Sequence, residues 1–248
     1  MKDKVVVITG ASGGIGAALA EQLAAQGAAL TLVARRQDAL AAVAARCGAR
    51  ALAVAADVSE RAQVKRVVAE TLAKHGRIDV WVNNVGVGIS RQPSQLTDED
   101  LDDMMRYNVK SALYGMQETL PHFASRGTGQ VVNVSSLLGR VPFAVQRSAY
   151  CGAKHFLNAL TATFREEVQA EHPGIQISLV SPGVVYTDFG LNARHGGVDS
   201  RKIPGGQTPE EVAAVIADVI ARPRPDVYTR AGAQARIAQH YAALGEDP

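Results

Sequence analysis

Cysteine is nearly missing from this chain of 248 residues, with only Cys47 and Cys151 present. They lie far apart and in no metal-ligand or redox spacing, which excludes a disulfide framework and predicts two unpaired thiols. Cys151 reads as a small packing residue, since no base accompanies it. No group of side chains is nominated as a metal site. Aromatic residues are scarce at 5%, and charge of neither sign prevails, with 26 basic against 24 acidic residues and no basic block. Neither a nucleic acid nor an anionic membrane surface is implied as a partner. No apolar run reaches the length of a membrane span, and Val5-Val6-Val7-Ile8 is too short for a signal peptide, so a cytoplasmic protein is expected. No Pro/Gly/Ser-rich linker divides the chain, so one domain over 1–248 is expected.

What the chain does have is a regular alternation of short β-branched runs and amphipathic segments. Strands are predicted at Val5–Thr9, Leu30–Ala34, Ala51–Ala55, Ile78–Val82, Gln130–Val134, Ile175–Val180 and Asp226–Thr229. Helices are predicted between them, with Thr97 and Thr208 at two N-caps and a last short helix from about Gln234 to Leu244. One long helix follows Thr97, with the apolar stripe Leu101, Met105, Ala112, Met116, Leu120, and Asn108 falling on it. This alternation predicts an α/β fold: a doubly wound, Rossmann-like parallel sheet of about seven strands with helices on both faces. Ligands of such sheets bind beyond the carboxyl ends of the strands.

The first strand breaks into Gly10-Ala11-Ser12-Gly13-Gly14-Ile15-Gly16 and then an alanine-rich helix. A glycine turn between a buried strand and a helix lets backbone N–H groups approach a phosphate, which is the dinucleotide-binding arrangement. The second strand ends where such folds read the adenosine ribose, and there it carries Arg35-Arg36. Cations at that address suit a 2′-phosphate, favouring NADP(H) over NAD(H). The alternative is a pair of solvated arginines opening the next helix.

Tyr150 and Lys154 stand four apart on a predicted helix, on the edge of the stripe Ala153, Leu157, Leu160, Phe164, Val168. An ammonium beside a phenol stabilises the phenolate and lowers its pKa, as a general acid or base requires. An ordinary amphipathic anchor beside a snorkelling lysine is the alternative. Gly190 to Gly206 lacks a periodic pattern and is expected, with the residues just before it, to form a substrate lid over about 188–206. Its arginines read either as contacts for an acidic substrate or, more simply, as solvated loop residues.

Taken in order, Thr9-Gly10-x-x-x-Gly14-Ile15-Gly16, Asn83-Asn84-x-Gly86, Asn108, Ser136, Tyr150-x-x-x-Lys154 and Pro182-Gly183 resemble the short-chain dehydrogenases/reductases. The resemblance covers essentially the whole chain. It implies an NADP-dependent oxidoreductase that transfers a hydride between a nicotinamide and a secondary alcohol or ketone. Under it Tyr150 is the proton donor or acceptor, and Ser136 hydrogen-bonds the substrate oxygen. Lys154 binds the nicotinamide ribose and lowers the tyrosine pKa, and Asn108 holds a water that links the lysine to solvent. Ser135 competes for the serine role, with Ser136 favoured because Ser-x-x-Gly139 matches the family pattern. The resemblance also assigns Gly10, Ser12, Gly14, Ile15 and Gly16 to the pyrophosphate turn. Arg35, and less strongly Arg36, are assigned to the 2′-phosphate, Asp57 and Val58 to adenine, and Asn84 to the adenosine ribose. Gly86, Pro182 and Gly183 complete the cofactor motifs, and Thr187 meets the carboxamide.

Two departures from the family pattern stand out. The gap from Ser136 to Tyr150 is one residue longer than the commonest spacing, so the loop from Arg140 to Arg147 is expected to bulge. Gly13 stands where many NADP-dependent members carry a lysine or arginine, removing one of two expected phosphate contacts. An NAD-dependent member, or a catalytically silent NAD(P)-binding regulatory protein, are the alternatives. A methyltransferase on a similar sheet would need an acidic residue where Arg35 stands. A homodimer or homotetramer is implied, with the helices after Thr97 and Ser148 as candidate interfaces.

Overall fold

Short, mostly apolar runs form seven strands in the computed structural model, which describes residues 1–245. They are β1 (Val5–Thr9), β2 (Ala29–Ala34), β3 (Ala51–Ala55), β4 (Val80–Asn83), β5 (Gly129–Val134), β6 (Ile175–Ser181) and β7 (Asp226–Tyr228). All neighbours pair in parallel in the order β3-β2-β1-β4-β5-β6-β7. Parallel neighbours need crossovers, and helices supply them. These are α1 (Gly14–Ala25), α2 (Gln37–Cys47), α3 (Arg61–His75), α4 (Asp98–Met105), α5 (Ser111–Arg126), α6 (Ser148–Glu171) and α7 (Pro209–Ala221). A last helix, α8 (Ala233–Ala242), follows β7. Among the described residues no helix is long and apolar enough to cross a membrane.

Side chains alternate across each strand, so the sheet feeds two cores. Val6 and Ile8 meet Leu19 and Leu23 of α1 and Val212 and Ile216 of α7, whereas Val7 belongs with Val64 of α3, Phe123 of α5 and Phe164 of α6. From β1 the chain winds outward to β3, then returns to build β4 on the other side of β1. That reversal opens a crevice at the carboxyl ends of β1 and β4.

The single long helix expected after Thr97 is instead interrupted. Residues Arg106–Lys110 form a π-turn between α4 and α5. A π-turn inserts one residue into the helical register, which rotates everything before it relative to everything after it. The stripe extrapolated backward from Ala112 therefore misses: Leu101 is 47% exposed, while Met104 and Asp100 are buried. Asn108 lies in the π-turn and is buried.

A ladder of buried polar side chains pins α5 and α6 to the sheet. Trp81 Nε1 donates to Asn83 Oδ1 (2.7 Å), Asn83 Nδ2 to Asn133 Oδ1 (2.8 Å), and Asn133 Nδ2 to Thr161 Oγ1 (2.9 Å). Asn83 Nδ2 also reaches the Ala112 carbonyl at 3.1 Å. In a low-dielectric interior such a ladder holds only while every rung is satisfied. Asn133→Ala strips partners from Asn83 and Thr161 together and is expected to cost about 2–3 kcal/mol, measurable by urea denaturation.

Candidate active site

The glycine turn is shaped by contacts that side chains would block. Gly10 and Gly14 take φ of +68° and +53°, and a Cβ on Gly16 would stand 2.4 Å from the Gly10 carbonyl oxygen. Asn84 braces the turn from β4: its Nδ2 donates to the Thr9 carbonyl (3.1 Å) and its N–H to Thr9 Oγ1 (3.0 Å). Helix α1 then begins at Gly14 with no side-chain cap and no acidic residue in its first turn. Its positive end and free N–H groups make a cradle that fits the diphosphate of a dinucleotide. Ile15 packs against the core behind the turn.

The two arginines after β2 part ways. Arg36 Nη2 donates to Ser12 Oγ (3.2 Å) and to the Ser12 carbonyl (3.3 Å), and a Cβ on Gly13 would lie 3.4 Å from it. Arg35 lies over the Tyr107 ring at 5.5 Å and 3.9 Å from Asp57. Asp57 Oδ1 accepts from the Ser59 N–H at 2.9 Å, and Val58 is buried beside it. The cation held against the glycine turn is thus Arg36, the less favoured of the two from sequence. Thr187 reaches the same turn, its Cγ2 being 3.2 Å from where a Gly14 Cβ would stand.

At the carboxyl ends of β5 and β6 the backbone is zipped by Ser135 N–H to Val180 O and Leu137 N–H to Pro182 O, both 2.7 Å. This fixes Ser136 in extended conformation between them, with Gly183 next to Pro182. The neighbouring serine is committed elsewhere: Ser135 Oγ donates to Asn158 Oδ1, whose Nδ2 donates to the Gly139 carbonyl at 2.7 Å. Ser136 Oγ accepts from the Leu138 N–H (3.1 Å) and lies close enough to the Tyr150 phenol to favour its ionised form. Lys154, one turn further along α6, is 2% exposed. Its Nζ donates to the Val134 carbonyl at 3.0 Å and lies 5.8 Å from the Tyr150 ring centroid. A Cβ on Gly86 would meet Asn108 Oδ1 at 3.1 Å and Lys154 Nζ at 3.6 Å, so all three share one corner. The Asn108 amide accepts from Val87 N–H (3.1 Å) and donates to the Val87 and Met104 carbonyls (3.0 and 3.1 Å).

Burial governs the protonation of the pair. It pushes the Tyr150 phenol up to about 12, against the Ser136 hydroxyl and the Arg147 charge, and drives the Lys154 ammonium down to about 7. Lys154 is not among the groups acting on the phenol, so the lowering expected from it does not appear in the free protein. Desolvation penalises both charged forms.

The segment 188–206 forms a strap whose residues are mostly exposed, as a solvated loop would be, but which is tied down at Arg194 and His195. Arg194 pairs with Ile89 in a short parallel bridge, with Ser90 N–H to Arg194 O at 3.0 Å. Its guanidinium engages Glu99, Asp100 and Asp103, while His195 Nε2 lies 2.7 Å from Asp100 Oδ1 and Arg91 Nη1 3.0 Å from Oδ2. Arg201 is likewise taken, by Asp188 and Asp199. Asp100 is also the N3 residue of the α4 capping box with Thr97. Burial raises its carboxyl, but hydrogen bonds from His195, Thr97 and Arg91 prevail and hold it well below the usual carboxylate range. Periodicity could not reveal Asp100 as the strap's anchor, because its partners lie more than 90 residues away in Arg194 and His195. Val87 joins the site through its backbone contacts with Asn108, which no motif in the sequence announces. Among the described residues no group of three or more His, Cys, Asp or Glu side chains could hold a metal ion. A hollow of about 420 Å³ lined by Asp3, Val5, Ala29, Arg50 and Arg77 lies elsewhere, at the amino ends of the strands.

Comparison with known proteins agrees with this geometry. A family model described as short chain dehydrogenase matches residues 4–196. An uncharacterised oxidoreductase of Bacillus subtilis, YxnA, is 33% identical over 251 residues, covering 98% of this chain and 69% of the relative. A 3-ketoacyl-(acyl-carrier-protein) reductase of Brucella melitensis, solved with NADH, superposes with TM-score 0.83 at 26% identity, over 92% of this chain and 96% of that one. An alcohol dehydrogenase of the archaeon Thermococcus sibiricus, solved with 5-hydroxy-NADP, gives TM-score 0.80 at 28% identity over 92% and 96%. A nicotinamide cofactor is common to both solved structures.

The buried ammonium makes a prediction about stability. In the folded chain Lys154 sheds its proton near 7, well below its ordinary 10.5, so the wild type bears the full cost of a buried charge only below that window. Stability is regained as pH rises through it, because the unfolded chain then binds more protons than the folded one. Lys154→Met is expected to raise the melting temperature of the free protein by about 3–6 °C at about pH 6. The gap should narrow as pH rises from about 7 towards 10.5, as thermal denaturation across that range would record.

Proposed function

The chain belongs to the short-chain dehydrogenases/reductases, and from that premise we propose that it is an NADP-dependent enzyme interconverting a secondary alcohol and its ketone, with Tyr150 moving the proton. The observation that carries this reading is the meeting of Ser136, Tyr150 and Lys154 at the carboxyl edge of the sheet, with Asn108 behind them.

Bound in the crevice, the nicotinamide supplies or takes up the hydride. The chain would hold its diphosphate on Gly10, Ser12, Gly14, Ile15 and Gly16, and its adenine between Asp57 and Val58. Asn84 would lie beside the adenosine ribose, with Gly86 further along the cofactor and Pro182, Gly183 and Thr187 at the carboxamide end. Ser136 Oγ orients the substrate oxygen. Tyr150 Oη gives that oxygen a proton when a ketone is reduced and takes one when an alcohol is oxidised. A phenol pushed up to about 12 is in its acid form throughout neutral pH, ready for donation to a ketone. Lys154, anchored on the Val134 carbonyl, sides with phenolate whenever it is charged. Asn108 holds the α4–α5 bend beside Lys154 open to a water that relays its proton.

Arg36 supports the NADP assignment, because it fills the space above Gly13 and so replaces the cation that Gly13 lacks. Arg35, closer to Asp57, is the second candidate for the 2′-phosphate. Exposed Leu101 on α4 and Phe156 on α6, at 47% and 50%, support self-association through these helices.

One set of measurements tests the proposal. NADPH is expected to bind about 10–100-fold more tightly than NADH, with Arg36→Ala removing most of that margin. Tyr150→Phe is expected to lower turnover by about 10³-fold while leaving cofactor affinity intact. Full activity in Tyr150→Phe would overturn the mechanism, and equal affinities would overturn the NADP assignment.

A further inference from the structure

The half-buried arginines around the site have acidic partners, with one exception. Asp100 takes Arg91 and Arg194, and Asp226 takes Arg140. Arg147 is different. No carboxylate is among the groups acting on its charge, and among the described residues its Nη1 is sealed from water without an acceptor. A desolvated, unpartnered donor on a cation is costly, more so than the same donor on a neutral group. Such a group is tolerated where something else supplies the acceptor.

Space is kept for this guanidinium beside the reacting groups. A Cβ on Gly88 would stand 2.4 Å from Arg147 Nη1 and 3.0 Å from the Phe189 ring, so only glycine there admits both. Across the strap, a Cβ on Gly197 would lie 3.2 Å from Arg147 Nη2 and 3.1 Å from Ser90 Oγ. The Phe189 ring in turn packs on Tyr150, with centroids 5.5 Å apart. Cation, apolar ring and proton donor therefore line one wall under the strap. The next residue, Ser148, also buries a hydroxyl with no partner, and α6 begins there with neither a side-chain cap nor an acidic residue in its first turn. Both features favour a negative charge at that spot.

Resting on the oxidoreductase reading above, we infer that the substrate carries a carboxylate that docks on Arg147, making the enzyme one for keto acids and their hydroxy acids. Phe189 covers the apolar carbons between the carboxylate and the reacting carbon. Arg147 sets which substrate is accepted and takes no part in proton transfer.

Two measurements decide this separately from the oxidoreductase reading. In the first, hexanoate and its neutral isostere hexanamide are titrated into the NADP-bound protein by NMR. Hexanoate is expected to bind at least about tenfold more tightly, an advantage lost in Arg147→Met and partly kept in Arg147→Lys. Equal affinities, no hexanoate binding, or a preference unchanged in a folded Arg147→Met overturn the inference, whatever turnover shows. In the second, straight-chain keto acids are compared with their methyl esters. The acid-to-ester ratio of kcat/KM is expected to fall by about thirtyfold or more in Arg147→Met, and a ratio that does not move overturns the inference. Ester reduction by the wild type, lost in Tyr150→Phe, reports on the oxidoreductase reading alone.

Discussion

An ammonium group 2% exposed to solvent, with one backbone carbonyl as its hydrogen-bond acceptor, is the constraint around which this molecule is arranged. Left to itself a lysine would carry that charge into water. Here α6 is clamped to the sheet by the Asn83, Asn133 and Thr161 ladder, and the end of β5 presents the Val134 carbonyl to Nζ. The lysine cannot retreat without breaking this packing. The cost of holding it is set against what the position allows: a cation and a phenol that face the same crevice as the glycine turn.

Most of the scaffold could be read from sequence, because it follows from local rules. Buried parallel strands favour apolar, β-branched runs, and Val5–Thr9 is an unbroken one, while Ile175–Ser181 carries Ile175, Ile177 and Val180. Turn glycines and capping threonines likewise announce themselves at short range, and both Thr97 and Thr208 form capping boxes. The grouping of Ser136, Tyr150 and Lys154 was legible through the order of motifs. Its protonation was not, because desolvation is a property of the folded neighbourhood, and it governs both groups where spacing suggests a pairwise effect.

The parts that escaped are those decided by long-range placement. The π-turn at Arg106–Lys110 leaves no pattern in the residues, yet it changes which side chains of α4 face inward, burying Met104 and exposing Leu101. Two adjacent arginines look alike in sequence, but only Arg36 turns back to Ser12. The same holds for the two serines. Ser135 is drawn into the Asn158 network, leaving Ser136 to face Tyr150. Arg147 is one more cation in a loop until the fold leaves it, among the described residues, without a carboxylate partner.

The Asp100 carboxylate serves two structures at once, as reciprocal partner of Thr97 at the start of α4 and as the anchor for Arg194 and His195 of the strap. Water barely reaches this one group, and both structures close on it. A substitution there would loosen two distant stretches of chain together, so the start of a helix and the seating of the strap share one side chain.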